Sequence, residues 1–252
     1  QRRDIPRRWR FNGRQMSTNH RVHDIGGTEG WGAVPYDPNE AVFHNDWERR
    51  VLGLLFQILP HTAKRPGEFR HTLERLASED YFCADGYYGR WRAGMEVLLH
   101  EYGHVDRAEL DNRLGVPQGT SAGYRSANVA AVNAETLPPD RITPTPEHRT
   151  VRRDLKEPPQ FQIGDRVVAP GNDEAGHTRL PEYVRGVTGT VVKIHPAEVL
   201  PDSTAHNHGD RPQHVLCVAY QANDLWGEDA EQDVVINVDL YESYVELDEG
   251  AS

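Results

Sequence analysis

The pentapeptide HEYGH, residues 100–104, fits the pattern H-E-x-x-H, in which two histidines one helical turn apart hold zinc and the glutamate serves as general base. That chemistry requires an unbroken helix through both histidines. Gly103 stands directly before the second, and HEYGHVDRAEL reads as a helix closing on a glycine, then a cap at Asp106 and a new helix. His104 is therefore expected off the face that carries His100. No third ligand follows downstream, and a histidine at a helix C-terminus is favoured by the dipole alone. His195, His206, His208 and His214 form a looser group with no metal-ligand spacing and read as solvated loop residues. A different kind of position is Arg179 in GHTRLPEYVRGVTGTV, residues 176–191, where a cation is fixed between a turn glycine and Pro181.

The rest of the composition limits the chemistry further. The sequence of 252 residues contains two cysteines, Cys83 and Cys217, far apart, which excludes a disulfide framework or a cysteine-rich zinc site and fits a reducing cytoplasm. A formal net charge of −11 opposes a nucleic-acid groove, which needs clustered Lys and Arg. The same balance leaves GDRV and GVTGTV, which resemble turns of ribosomal-RNA-binding barrels, as turn chemistry. The basic stretch is local: residues 1–22 carry Arg2, Arg3, Arg7, Arg8, Arg10 and Arg14, and are expected to form a flexible arm. No run is long or apolar enough for a membrane span or a signal peptide, so no membrane partner is expected.

These residues must be positioned by two different kinds of element. Residues 23–40 are rich in Gly and Pro and are expected to be extended. Helical spacing then sets in: FHNDWERRVLGLLFQIL places Trp47, Val51, Leu54, Leu55 and Ile58 on one stripe, with Asn45 or Asp46 as cap and Pro60 as stop. GEFRHTLERLA predicts a second helix with Phe69, Leu73 and Leu76 on one face, DGYYGRWRAGMEVLLHEYGH a third, and DRAELDNRLG a fourth, opened by Asp106 and closed by Gly115. The helical domain so defined covers residues 23–115. Residues 116–160, with repeated Pro, Ser and Thr, are expected to be a linker. From Phe161 to residue 252 the period becomes two: FQIGDRVVA, VTGTVVKIH, HVLCVAYQ, DVVINVDL and SYVELD are strands of a small antiparallel barrel. The expected class is α+β, a helical half with an extended N-terminal segment joined to an SH3-like barrel.

Taken in order, VHDIGGTEGWGAV, GEFRHTLERL, GYYGRW, GDRVV, GHTRLPEYVRGVTGTV, DLWGED and VDLYESYVEL resemble the β subunit of nitrile hydratase, from about residue 22 to 248. The resemblance implies hydration of a small nitrile to an amide, together with an α subunit in a heterodimer or heterotetramer. It implies that the metal, non-corrin cobalt(III) or low-spin iron(III), belongs to the α subunit, held by a cysteine claw partly oxidised to sulfinate and sulfenate. This chain is expected to bind no cofactor by itself and to be inactive alone.

By the same resemblance, Arg70 in GEFR and Arg179 in GHTR reach the oxidised sulfur oxygens across the interface. A guanidinium suits that role, because it is a fork of donors that stays charged, and each charge-assisted bond is worth about 1.5–3 kcal/mol. Tyr87 in GYYGRW matches a pocket tyrosine whose phenol orients substrate or water and relays a proton. Leu52, Leu55, Phe69 and Trp91 fall where relatives place pocket walls; some relatives carry tyrosines at the Leu52 and Trp91 positions, so this pocket is expected to be more apolar. Two other classes compete. Thiocyanate hydrolase is built from the same parts divided among separate chains, and a non-catalytic accessory or metallochaperone-type protein would share the barrel without needing both arginines.

Overall fold

The computed structural model describes residues 10–11, 14–15, 22–26, 31, 33–34, 36–62, 67–121, 150–170, 177–206, 208–228 and 230–250. They divide into two compact units: Asp37–Thr150 with Ser203–Gly209, and Gln1–Tyr36 with Val151–Asp202 and Asp210–Ser252. The first is helical and the second is built on an antiparallel sheet, an α+β chain. Within the basic N-terminal stretch, the backbones of β1 (Arg10–Phe11) and β2 (Arg14–Gln15) pair antiparallel.

In the helical unit, α1 (Asp46–Ile58) starts at the N-cap Asn45, whose N–H donates to the Glu48 carboxylate at 3.3 Å. It ends in a 3-10 turn, Leu59–His61, that takes up Pro60. Val51 and Leu55 are buried, and Trp47 and Ile58 pack against them. Leu54, at the same helical spacing, is 53% exposed and packs into neither buried cluster. The second helix, α2 (Glu68–Glu74), is short, so its expected face divides. Phe69 joins the α1 cluster, whereas Leu73 and Leu76 pack with Ala93 and Val97. A one-turn helix that periodicity cannot register, α3 (Ser78–Tyr81), precedes α4 (Gly86–Glu101). A Cβ at Gly94 would sit 2.5 Å from Leu73 Cδ2, so glycine is what allows α2 to approach α4 this closely. The two helices are also tied by polar bonds: Arg75 forks onto Glu101 at 2.7 and 2.9 Å, and the Tyr102 hydroxyl donates to Glu68 at 2.6 Å. Asp106 caps α5 (Arg107–Leu114) by accepting the Glu109 N–H, and Gly115 closes it at φ 67°. The buried Asp111 then accepts the N–H groups of Gly119 and Ser121 at 2.8 and 3.2 Å.

The sheet unit has five strands in the order β6-β5-β4-β3-β7: β3 (Arg166–Val168), β4 (Thr188–Glu198), β5 (Gln213–Gln221), β6 (Val235–Tyr241) and β7 (Glu246–Leu247). Each overlaps one of the five period-two segments, with β4 running on past His195 to Glu198. The edge strands β6 and β7 do not pair with each other, so the sheet is open. Along β5, Leu216, Val218 and Tyr220 turn into a single core that extends from Phe161 to Val245. A Cβ at Gly189 would lie 2.5 Å from Val218 Cγ1 and 2.7 Å from the Tyr220 ring, so the absent side chain makes room for that ring. Residues 122–149 of the expected linker lie outside the described residues. Beyond them the chain runs beside β4, where Arg153 N–H donates to Ala197 and Val199 N–H to Val151 at 2.9 and 2.8 Å. The Arg153 guanidinium meets Asp210 at 2.7 Å.

Candidate functional site

Three helices of the helical unit carry six of the expected site residues, and four of them, Leu55, Phe69, Tyr87 and Trp91, meet in one aromatic and aliphatic neighbourhood. Leu52 and Leu55 come from α1, Phe69 and Arg70 from α2, and Tyr87 and Trp91 from α4. The Phe69 ring meets Trp91 edge-on with centroids 5.9 Å apart, and Trp91 in turn lies 4.9 Å from Tyr87 and 5.7 Å from Tyr88. Edge-to-face contacts of this kind fix ring orientation as well as burying area. Leu55 is buried with Val51 and Met95 in the cluster against which Phe69 and Trp91 pack, whereas Leu52 is half-buried. Tyr87 is 58% exposed, and its ring is held between Tyr88 and Trp91. Arg70 is exposed and makes no ion pair among the described residues.

A cleft of about 770 Å³ opens between the segment that leads into α1 and the start of α4. Trp47, Tyr87 and Tyr88 supply aromatic walls, and His44, Glu48 and Asp85 supply polar groups. Burial pulls the Glu48 carboxyl upward, but N–H donation from His44 at 2.5 Å and from Asn45 outweighs it and holds the group below the ordinary range. Glu48 is therefore an ionised acceptor. Of the expected pocket residues only Tyr87 lines this cleft. Sequence reasoning had not singled out Glu48 or Tyr88; the available signal was an Asn three residues before a Glu at a helix start.

Arg179 belongs to the sheet unit, in the segment that leads through Pro181 into the 3-10 turn Glu182–Val184. Its backbone is held tightly while its side chain is exposed. The Arg179 N–H donates to the Tyr244 hydroxyl at 3.0 Å, Tyr244 donates its own proton to Asp202, and the neighbouring Leu180 N–H bonds Thr178 Oγ1 at 3.2 Å. Burial, followed by the charge of Asp202, pushes the Tyr244 phenol well above the tyrosine range, so it remains a donor at any working pH. Beside it, Tyr241 is pushed up to about 12 by burial and by Glu198 and Asp202, with Arg179 acting the other way. Tyr244 and Asp202 position the arginine, and neither had been picked out individually. They lie 65 and 23 residues from it, and only VDLYESYVEL, already notable as a segment, carried a signal.

The zinc motif separates as its glycine predicts. Helix α4 ends at Glu101, Gly103 has φ 70°, and the N–H groups of His104 and Val105 both turn back to Leu99. His104 thus lies beyond the helix, and Glu101 is occupied by Arg75. His195 and His214 are not in loops: they are in β4 and β5. Cys83 and Cys217 are both free, and no group of metal-ligating side chains among the described residues contains both. No helix among the described residues is long and apolar enough to cross a membrane.

Both parts of the chain match one class of protein. Residues 19–136 match the family described as nitrile hydratase beta subunit, N-terminal, and residues 150–247 the family described as nitrile hydratase beta subunit, C-terminal. The chain belongs to the nitrile hydratase β-subunit family. It is 33% identical over 229 residues to the nitrile hydratase subunit beta of Pseudomonas putida, covering 89% of this chain and 98% of that one. It is 32% identical over 232 residues to the low-molecular weight cobalt-containing nitrile hydratase subunit beta of Rhodococcus rhodochrous, covering 89% and 97%. Among solved structures, a chain of thiocyanate hydrolase from Thiobacillus thioparus aligns at a TM-score of 0.34 and 24% identity, over 36% of this chain and 78% of that one.

Proposed function

We propose that this chain is the β subunit of a nitrile hydratase, which hydrates small nitriles to amides in complex with an α subunit carrying non-corrin cobalt(III) or low-spin iron(III). The observation that carries the reading is family membership over both parts of the chain. When bound, the metal supplies Lewis acidity from the α subunit. The residues of this chain do the remaining work. Arg70 and Arg179 donate to the oxygens of the oxidised cysteines; their exposure on this chain supports a role toward a partner. Tyr87 orients substrate or water, with its ring braced by Trp91 and Tyr88. Leu52, Leu55, Phe69 and Trp91 form an apolar wall that excludes water.

In this reading the complex is a cytoplasmic heterodimer or heterotetramer, and the chain is inactive without its partner. The open sheet forms part of an SH3-like barrel, residues 161–252, preceded by the arm 1–22, the helical domain 23–115 and the linker 116–160. Co-expression with an α subunit is expected to give a complex that converts nitriles to amides. Arg70→Lys is expected to lower turnover at least about tenfold, because lysine lacks the guanidinium fork. Undiminished turnover in that variant would remove Arg70 from the reaction. Thiocyanate hydrolysis in place of nitrile hydration would favour the related hydrolase.

A further inference from the structure

The outer face of the sheet carries a cluster that the proposed reaction does not use. In β4 an irregularity between Val191 and Lys193 breaks the alternation, so that Val191 is buried while Lys193 stands opposite Cys217 of β5. Cys217 in turn pairs in register with Asp239 of β6. His195, two residues beyond Lys193, lies on the same side. One donor atom each from His195, Cys217 and Asp239 falls within 4.8 Å of the others, and His195 Nε2 is 3.3 Å from Asp239 Oδ1.

This grouping is mounted on three adjacent strands whose opposite face is the core, with Leu216, Val218 and Leu240 buried behind it. Strands hold ligands more rigidly than loops do. Imidazole nitrogen, thiolate sulfur and carboxylate oxygen are the donors that zinc takes at about 2.0–2.3 Å in tetrahedral sites. Ligands at such bond lengths stand roughly 3.3–3.8 Å apart, so closing the cluster takes only small side-chain movements. The site is reachable from solvent, since the side chains of Asp239 and His195 are 61% and 28% exposed. Burial, then the Asp239 charge and hydrogen bond, raise the Cys217 thiol above its usual range, while Lys193 lowers it. A cation bound between the two groups offsets the Asp239 charge and favours the thiolate.

We propose that His195, Cys217 and Asp239 form a three-ligand site for one zinc-class divalent ion, with water in the fourth position. Binding exchanges the thiol proton for the metal–sulfur bond and releases that proton to solvent. The site needs no residue of a partner subunit and does not depend on the proposed enzymatic role.

The test uses the full chain, freed of metal by a chelator and titrated with zinc against a chromophoric competitor, then with cadmium, whose bond to thiolate absorbs in the ultraviolet. One equivalent of zinc is expected to bind. The cadmium band is expected to persist in Cys83→Ser and to vanish in Cys217→Ser. His195→Ala and Asp239→Asn, which change partly exposed side chains, are expected to weaken zinc binding by about tenfold or more while leaving the circular dichroism spectrum unchanged. Absence of zinc binding, a band that follows Cys83, or full affinity in both His195→Ala and Asp239→Asn would overturn the proposal.

Discussion

The sheet unit and the helical unit solve the burial problem differently. The former has one continuous core to which every strand from β3 to β6 contributes, so each side chain of that core is enclosed by several elements, although Ile163, Val192, Val235 and Leu247 lie outside it and stay exposed. Among its described residues the latter has two clusters of three buried residues, one around Leu55 and one around Val97, and leaves Leu54, Phe56 and Tyr87 exposed. Its short helices are compensated by polar ties such as the Arg75–Glu101 fork. The difference agrees with the chemistry proposed for each unit. A closed core can fix a single loop, as it does for Arg179, whereas an incompletely covered helical surface can present aromatic walls to something outside it.

Matched truncations would test this contrast most strongly. Leu216→Ala, at a fully buried position in the continuous core, is expected to cost about 4 kcal/mol; Leu55→Ala, whose smaller cluster can relax toward the surface, about 2 kcal/mol. Denaturant unfolding of both variants provides the measurement, and equal costs would break the comparison. A smaller effect should follow Arg75→Ala. With Glu101 about a quarter exposed, loss of the fork is expected to cost about 1–2 kcal/mol and to leave the sheet unit's amide protection in hydrogen exchange unchanged.

Acidification should also act first on the helical unit. Glu48 and Asp111 both have folded-state carboxyls below their ordinary values: burial opposes ionisation, but N–H donors outweigh it. Their contribution is present above the unfolded carboxyl value of about 4 and is lost as the pH falls through the lower folded values. The melting midpoint of the helical signal should drop across that window and be flatter in Glu48→Gln. An unchanged slope in the variant would show that the start of α1 is not held by this carboxylate.

Much of the architecture was legible from periodicity. All five period-two segments overlap a strand, and the glycine at position 103 correctly signalled the end of α4 before His104. What was not legible depended on contacts distant in the chain. Nothing local to Arg179 points to Tyr244, and nothing local to Tyr244 points to Asp202, since the bonds between them form only when the sheet unit is folded. The exposure of Leu54 was not legible for another reason: helical spacing gives the direction of a side chain but not whether a neighbour waits there. The neighbourhood of Leu55, Phe69, Tyr87 and Trp91 lies in between, because each residue sits on a foreseeable helix while their convergence depends on a close approach permitted at Gly94.

The path of the chain between the units carries a practical consequence. After Asp202 the backbone leaves the sheet unit, contributes Ser203–Gly209 to the helical one, where the His206 ring stands 4.9 Å from that of His71, and returns at Asp210. Fragments made by cutting anywhere within 122–149 would therefore divide the helical unit's own residues, leaving this heptapeptide on the wrong piece. Dissecting the protein into independent halves calls for a circularly rearranged or grafted gene rather than a single stop codon.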